Sequence, residues 1–215
     1  MREEIKNWDA RFSGAEYLFG TAPNAFLVRE SVRITGGGRV LAVADGEGRN
    51  GVWLAQQGLA VHSIEGSPAA VAKAIALAND RDVPVVTSLD ELVPGALFAE
   101  QVDVLEWTWP SATFDAVVGI FIQFIGPDER PTIFEAMAGA LAADGVLLLE
   151  GYAPRQLDYG TGGPRSLPNL YDVALLTTAF PSLRVIEILE YDAEVDEGTQ
   201  HRGMSALIDL VATRP

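Results

Sequence analysis

Residues 39–51, RVLAVADGEGRNG, decide the fold of this chain. A short apolar run at 40–44 meets a glycine-rich turn at 46–48, and a helix-like pattern begins at Asn50. A buried strand that enters a helix through a tight glycine turn presents backbone N–H groups at the start of that helix. The stretch therefore predicts a place that holds a nucleotide or another polar ligand.

Composition excludes several classes of function. The absence of cysteine rules out disulfides, thiolate metal sites and a cysteine nucleophile, and two histidines are too few for a histidine-rich metal site. A net charge of −15 with no basic patch argues against a nucleic-acid partner. No run approaches the roughly 18 apolar residues of a membrane span. The acidic N-terminus lacks the apolar core of a signal peptide, so a cytoplasmic location without a membrane partner is expected.

Strand and helix patterns alternate along the chain and end in a hairpin pattern. The predicted strands are residues 40–44, 60–64, 114–124, 146–150, 183–191 and 204–212. The predicted helices are residues 24–33, 50–58, 68–79, 127–141 and 170–180. The third strand is left open between residues 83–87 and 102–105. Alternating strands and helices predict a doubly wound α/β fold, whose mainly parallel sheet carries an antiparallel edge.

The glycine turn carries a nucleotide-binding fingerprint. Residues 46–51, GEGRNG, match G-x-G-x-x-G, and Glu65 follows Gly46 by 19 residues. That spacing suits a carboxylate that binds ribose hydroxyls at the end of the second strand. Nicotinamide, flavin and S-adenosylmethionine enzymes share this fingerprint, so it does not choose the cofactor by itself.

Motifs further along the chain resemble those of the class I S-adenosylmethionine-dependent methyltransferases. As in that family, Asp103 precedes a proline-containing stretch, and residues 114–117, FDAV, open the next strand. Asp144-Gly145 before the apolar run 146–149 also fits, as does the terminal hairpin. The resemblance covers most of residues 36–213. It implies a Rossmann-like, seven-stranded, mainly parallel sheet in a single domain over 1–215, with an N-terminal helical arm or lid at 1–35 and the core at 36–215.

Within that family the chain looks most like the branch of tellurite-resistance and thiopurine methyltransferases. The stretch 46–50, the pattern Trp-x-x-Arg-Phe at 8–12 and the stretch 197–203, EGTQHRG, carry this narrower resemblance. One departure concerns the first strand, where Ala42 and Ala44 stand in place of the family's usual acid and early glycine. Asp45, Glu47 or a water would then serve the amino-acid end of the cofactor.

The resemblance also implies which residues bind S-adenosyl-L-methionine. The backbone of residues 44–48 would meet the methionine end and Glu65 the ribose hydroxyls. Asp103 would accept a hydrogen bond from the adenine amino group, with Val104 near the ring. The implied set is Trp8, Phe12, Ala44, Asp45, Gly46, Gly48, Glu65, Gly66, Asp103, Val104 and Ile120.

The acceptor side is less defined by the sequence. A general base is needed only if the small-molecule acceptor carries a proton at working pH. Tyr152, Asp158, Tyr159 and His201 are the candidates, because they are predicted to lie in loops at the cofactor-binding end of the sheet. The attacking atom of the acceptor and the oligomeric state stay open. Two alternatives also stay open: an NAD(P)-dependent oxidoreductase with the same fingerprint, and a non-catalytic cofactor-binding module.

Overall fold

The computed structural model describes all 215 residues, which group into two compact units, Met1–Thr108 and Trp109–Pro215. The first unit contains four α-helices and four strands. In chain order these elements are α1 (Glu3–Phe12), α2 (Ala25–Glu30), β1 (Arg39–Val43), α3 (Arg49–Gln56), β2 (Ala60–Glu65), α4 (Pro68–Asp80), β3 (Val85–Val86) and β4 (Leu97–Gln101).

The strands of the first unit pair in the order β3-β4-β2-β1, and every pairing is parallel. Val43 of β1 is in register with Ile64 of β2, and Glu65 of β2 with Gln101 of β4. The three long strands therefore end at one edge, where the loops after them meet. Of the two expected locations of the third strand, 83–87 contains the strand β3, but the strand beside β2 is β4, which neither location includes. Residues 85–86 form only a short outer strand, and residues 102–105 lie beyond the end of β4.

Side chains at two predicted helix starts confirm the capping pattern. The Asn24 side chain accepts a hydrogen bond from the Leu27 N–H at 2.9 Å and begins α2. The Ser67 hydroxyl accepts one from the Ala70 N–H at 3.1 Å, and Pro68 occupies the first turn of α4. Each cap satisfies a backbone N–H that has no partner within its helix.

The second unit contains three α-helices and four strands. In chain order these are β5 (Phe114–Ile120), α5 (Arg130–Ala140), β6 (Leu141–Tyr152), α6 (Gln156–Tyr159), α7 (Val173–Ala179), β7 (Arg184–Glu197) and β8 (His201–Thr213). β5 pairs with β6 in parallel, whereas β8 pairs antiparallel with both β6 and β7. The terminal hairpin is longer than predicted, because the polar stretch 192–203 is itself paired, from Asp192 with Ala206 to Glu197 with His201.

Each unit combines its helices with four strands, all parallel in the first unit and mixed in the second, so the predicted α/β class is confirmed. The chain has one strand more than the predicted seven, because the short β3 pairs with β4. Because the chain divides into two compact units, the expectation of a single domain over 1–215 stays a prediction. None of the helices combines the length and the apolar character that crossing a membrane requires.

Candidate functional site

The turn after β1 is built on left-handed backbone. Ala44 has a φ of 49°, Gly46 a φ of 61° and Gly48 a φ of 85°. Gly48 also lies against α4, where a Cβ atom would come within 2.6 Å of the Ala74 Cβ and 2.8 Å of the Ala74 Cα. This position therefore requires glycine both for its conformation and for the close approach of α3 to α4.

The Asp45 carboxylate links the turn to α3 and to β2 through hydrogen bonds. Its carboxylate accepts the Gly51 N–H, at 3.2 Å to Oδ1 and 3.1 Å to Oδ2, and the Ser63 hydroxyl at 3.0 Å. A Cβ on Gly51 would overlap Asp45 Oδ2, so the last glycine of the fingerprint makes room for this carboxylate. Burial raises the pKa of Asp45 to about 7, although the hydrogen bonds from Ser63 and Gly51 act in the opposite direction.

Glu47 ties the turn to the N-terminal residues. The buried carboxylate accepts the Leu18 N–H at 2.7 Å and pairs with the Lys73 ammonium at 2.7 Å. Lys73 also donates to the Glu16 carbonyl at 2.7 Å. Both acids that stood as alternatives for the methionine end of a cofactor are thus engaged in bonds within the protein.

Glu65 ends β2 and faces the turn. Oε2 accepts the Gly46 N–H at 3.0 Å, and Oε1 accepts the Ser67 N–H at 2.8 Å. Burial raises the pKa of this carboxyl, against the lowering effect of the backbone hydrogen bonds, and the residue is only 9% exposed. An ionised carboxylate has about four acceptor positions. The Gly66 N–H makes a third backbone hydrogen bond to this carboxylate, so Glu65 keeps acceptor capacity for one further donor, such as a ribose hydroxyl.

Asp103 lies next to Glu65, because the Val102 N–H binds the Glu65 carbonyl at 2.9 Å. Its carboxylate receives a two-pronged contact from Arg2, at 2.5 Å from Nε to Oδ2 and 2.9 Å from Nη2 to Oδ1. The Leu105 N–H adds a third hydrogen bond at 3.1 Å. Burial alone would raise the pKa of Asp103, but the contacts with Arg2 and Leu105 outweigh it and hold that pKa below its usual value.

Helix α1 lies across this group of residues. A Cβ on Gly66 would come within 3.0 Å of the Ile5 side chain, and one on Gly46 within 3.7 Å of the Phe12 ring. The Trp8 ring stacks on Phe12 with centroids 5.5 Å apart. The predicted contacts Trp8 and Phe12 therefore belong to an N-terminal arm that covers the turn, and Val104 is buried in the same unit.

Three residues of this arm were not found from the sequence: Arg2, Ile5 and Asp9. Asp9 Oδ1 accepts the Ser67 hydroxyl at 2.7 Å and the Ala69 N–H at 2.9 Å, so it adds a second cap to α4. The partners of Arg2 and Asp9 lie 58 to 101 residues away along the chain. No local pattern could have indicated such pairs, because spacing rules describe neighbours within one element.

The second unit brings two of the predicted catalytic residues together. The rings of Tyr152 and His201 meet edge to face with centroids 5.6 Å apart. Phe121 stacks on Tyr152 at 4.6 Å and meets His201 edge to face at 4.7 Å. Tyr152 ends β6 and His201 begins β8, so neither lies in a loop as predicted. His201 Nδ1 lies 3.7 Å from the Glu197 carboxylate, beyond hydrogen-bond distance.

Backbone geometry fixes this aromatic cluster, which consists of Phe121, Tyr152 and His201. Phe121 has a φ of 56°, an unusual value for a bulky residue, and follows Ile120 at the end of β5. The Gln123 side chain binds the Tyr152 backbone at both ends, accepting its N–H at 2.7 Å and donating to its carbonyl at 2.8 Å.

A glycine loop covers the cluster. A Cβ on Gly163 would lie 2.5 Å from the Tyr152 ring, so the loop backbone packs directly on that ring. The buried Gln156 amide holds the loop by donating to Thr161 at 3.0 Å and to the Gly162 carbonyl at 3.1 Å. Tyr159 is not part of the cluster, since it is 38% exposed and its electrostatic partners are Asp192, Arg155 and Asp158.

No protein-family model matches the sequence, and no curated protein matches it either. Solved structures do match. A protein from work on the conversion of a disulfide bond into a thioacetal group during echinomycin biosynthesis gives a TM-score of 0.77 at 18% identity, over 99% of this chain and 92% of that chain. The N-methyltransferase NodS from Bradyrhizobium japonicum WM9, in complex with S-adenosyl-L-homocysteine, gives 0.71 at 13% identity over 100% of both chains. TehB from Haemophilus influenzae gives 0.67 at 16% identity, over 87% of this chain and 61% of that chain.

These similarities show the fold of the chain. It is the class I methyltransferase fold, so the resemblance inferred from the glycine turn, Asp103 and the terminal hairpin is confirmed at that level. One fold supports many reactions, and a function has to be argued from the residues of the site.

Proposed function

We propose that the protein is an S-adenosylmethionine-dependent methyltransferase that acts on a small molecule. The observation that carries this proposal is the placement of two acidic residues, Glu65 and Asp103, at the carboxyl ends of two neighbouring parallel strands. Both follow neighbouring parallel strands, and the Val102 N–H to Glu65 carbonyl bond of 2.9 Å links their backbones. In open α/β sheets, ligands bind beyond the carboxyl ends of such strands. NodS, which shares the fold, binds S-adenosyl-L-homocysteine.

The residues of the first unit fit this cofactor. Glu65 retains acceptor capacity for a ribose hydroxyl, and Asp103 Oδ2, which accepts from Arg2 Nε, keeps a second acceptor position for an adenine amino group. Gly46 and Gly66 have no side chains to fill the space beside these acids, and Val104 offers an apolar contact for the ring. We assign Trp8 and Phe12 to the wall that closes over the turn. Ala44, Asp45 and Gly48 set the shape of the turn.

The cofactor supplies an activated methyl group, and the chain supplies alignment and exclusion of water. We assign the acceptor side to the second unit, with Tyr152 and His201 as the groups that contact the acceptor and His201 as the base when a proton must be removed. Ile120 and Tyr159 stay predicted contacts. A net charge of −15 disfavours strongly anionic acceptors, because long-range repulsion slows their approach. We expect this reaction to take place in the cytoplasm.

Binding calorimetry with S-adenosyl-L-homocysteine and with NADH tests the proposal. We expect S-adenosyl-L-homocysteine to bind and NADH not to bind. Glu65→Gln keeps the size of the side chain but removes its charge, so it should weaken S-adenosyl-L-homocysteine binding by about tenfold or more, because hydrogen bonds to charged groups are the strong ones. Asp90→Asn, at an exposed position of the same unit, removes one negative charge away from the site and should leave the affinity unchanged.

Other results would select the alternatives. Tight binding of NADH alone would reject the methyltransferase proposal and favour an NAD(P)-dependent oxidoreductase. Binding of neither compound would favour a non-catalytic protein that keeps the fold. Once binding is established, methyl transfer to a panel of small thiols, oxyanions, amines and phenols would identify the acceptor class.

A further inference from the structure

We propose that α1 is a gate across the cofactor site and that the Arg2–Asp103 ion pair is its latch, an inference that rests on the proposed function. Cofactor exchange then requires this ion pair to break, and the pair re-forms over the bound adenosine. Arg2 affects ligand binding by holding α1 in its closed position, so it is a positioning residue.

The coverage of the site by one helix supports a gate. From its first turn to its last, α1 contacts the residues assigned to the cofactor, through Ile5 against Gly66 and Phe12 against Gly46. At its start, Arg2 reaches Asp103, the predicted adenine acceptor. A ligand that lies on the turn between Glu65 and Asp103 enters or leaves only when this helix moves.

The chain after α1 has the features of a hinge. Residues 13–16 are turn and bend backbone, and a Cβ added to Gly14 would meet no atom within 4 Å beyond its chain neighbours, so nothing packs against this glycine. Beyond the bend the chain is fixed again, by the Leu18 N–H to Glu47 bond of 2.7 Å and the Lys73 to Glu16 carbonyl bond of 2.7 Å. The segment before the bend can therefore swing while the segment after it stays attached.

The ion pair lies at the end of α1 that is farthest from this hinge. A contact at that end acts farthest from the hinge, and it holds α1 closed together with the hydrogen bonds from Asp9 to the start of α4. The Arg2 side chain is 30% exposed and the Asp103 side chain 11% exposed. A pair with this much solvent contact is weakened by dissolved salt. Because Asp103 carries both the latch and the assigned adenine contact, closing of the gate depends on the same carboxylate as binding of the ligand.

Rates of ligand exchange test the latch. We expect Arg2→Gln to raise both the association and the dissociation rate of S-adenosyl-L-homocysteine by about tenfold, because the charge-assisted pair no longer holds α1 closed. Lys6→Gln is the matched control, since it removes the same charge from the same helix and breaks only the exposed Lys6–Glu3 pair of 3.2 Å. Raising the salt concentration from about 0.05 M to about 0.5 M should accelerate exchange in the wild type and in Lys6→Gln, but not in Arg2→Gln.

Hydrogen–deuterium exchange of the free protein supplies a second readout that needs no ligand. Amides of α1 should exchange faster in Arg2→Gln than in the wild type, whereas those of α4 should not change. Binding of S-adenosyl-L-homocysteine with rates equal in the wild type and Arg2→Gln would overturn the gate and leave the proposed function standing. Unchanged protection of α1 would overturn the latch. Absence of ligand binding in all three proteins would reject the proposed function and the gate with it.

Discussion

Gly48 allows a direct test of the turn, because Gly58 in the same unit has a similar φ but no close neighbour. Comparing the two glycines separates the cost of backbone strain from the cost of steric crowding. Gly48 has a φ of 85° and Gly58 a φ of 82°, so alanine meets nearly the same backbone strain at either position. Only Gly48 is crowded, since its Cβ would lie 2.6 Å from the Ala74 Cβ, whereas no atom lies within 4 Å of a Cβ on Gly58.

The magnitudes follow from these two effects. Left-handed backbone costs an alanine about 1–2 kcal/mol, and overpacking of a close contact costs about 1–3 kcal/mol more. We therefore expect Gly58→Ala to lower the free energy of unfolding by about 1–2 kcal/mol and Gly48→Ala by about 2–5 kcal/mol. Urea denaturation followed by circular dichroism measures both, and the Gly48→Ala midpoint should fall by roughly 1 M or more. Equal losses, within about 0.5 kcal/mol, would refute the close approach of α3 to α4 at this glycine.

Two further predictions concern the turn and the loop of the second unit. Because burial raises the pKa of Asp45 to about 7, the folded protein binds this proton more tightly than the unfolded chain, and the wild type loses stability as the pH rises from about 4 to about 7. Asp45→Asn cannot ionise, so its stability relative to the wild type should increase between about pH 5 and pH 8, by on the order of 2 kcal/mol in urea unfolding; a difference that does not change with pH would contradict this. Gly163→Ala places a Cβ 2.5 Å from the Tyr152 ring, whereas Gly160→Ala meets no atom within 4 Å. Protease cleavage in the loop should therefore accelerate in the first variant and not in the second, and equal rates would argue against packing of the loop on Tyr152.

Much of the fold was predictable because its strands are apolar runs that end in recognisable turns. The strand beside β2 was missed because its sequence, LFAEQ, mixes apolar and polar residues, and only Leu97 is fully buried. Residues 102–105, VDVL, look more like a strand, but there Asp103 binds Arg2 and the Val102 N–H binds the Glu65 carbonyl. Half-exposed strands near the edge of a sheet lack the pattern on which such predictions depend.

The site was predictable where spacing within one βαβ unit defines it, as for Gly46, Gly48 and Glu65. The arm over it was predictable only as aromatic residues, because the salt bridge between Arg2 and Asp103 joins residues 101 positions apart. The placement of Tyr152 and His201 at strand ends escaped prediction for a related reason. The polar stretch 192–203 reads as a loop, yet residues 192–197 pair with β8, which begins at His201, and only residues 198–200 form the turn.

The packing around the glycine fingerprint bears on how its presence should be interpreted across evolution. Gly48 makes room for Ala74, and Gly51 makes room for the carboxylate of Asp45, so selection for a stable fold alone would retain both. A descendant that had lost its ligand would keep this part of the motif for as long as it kept the fold. Comparisons among distant homologues should therefore judge ligand binding by residues of the site other than these two glycines.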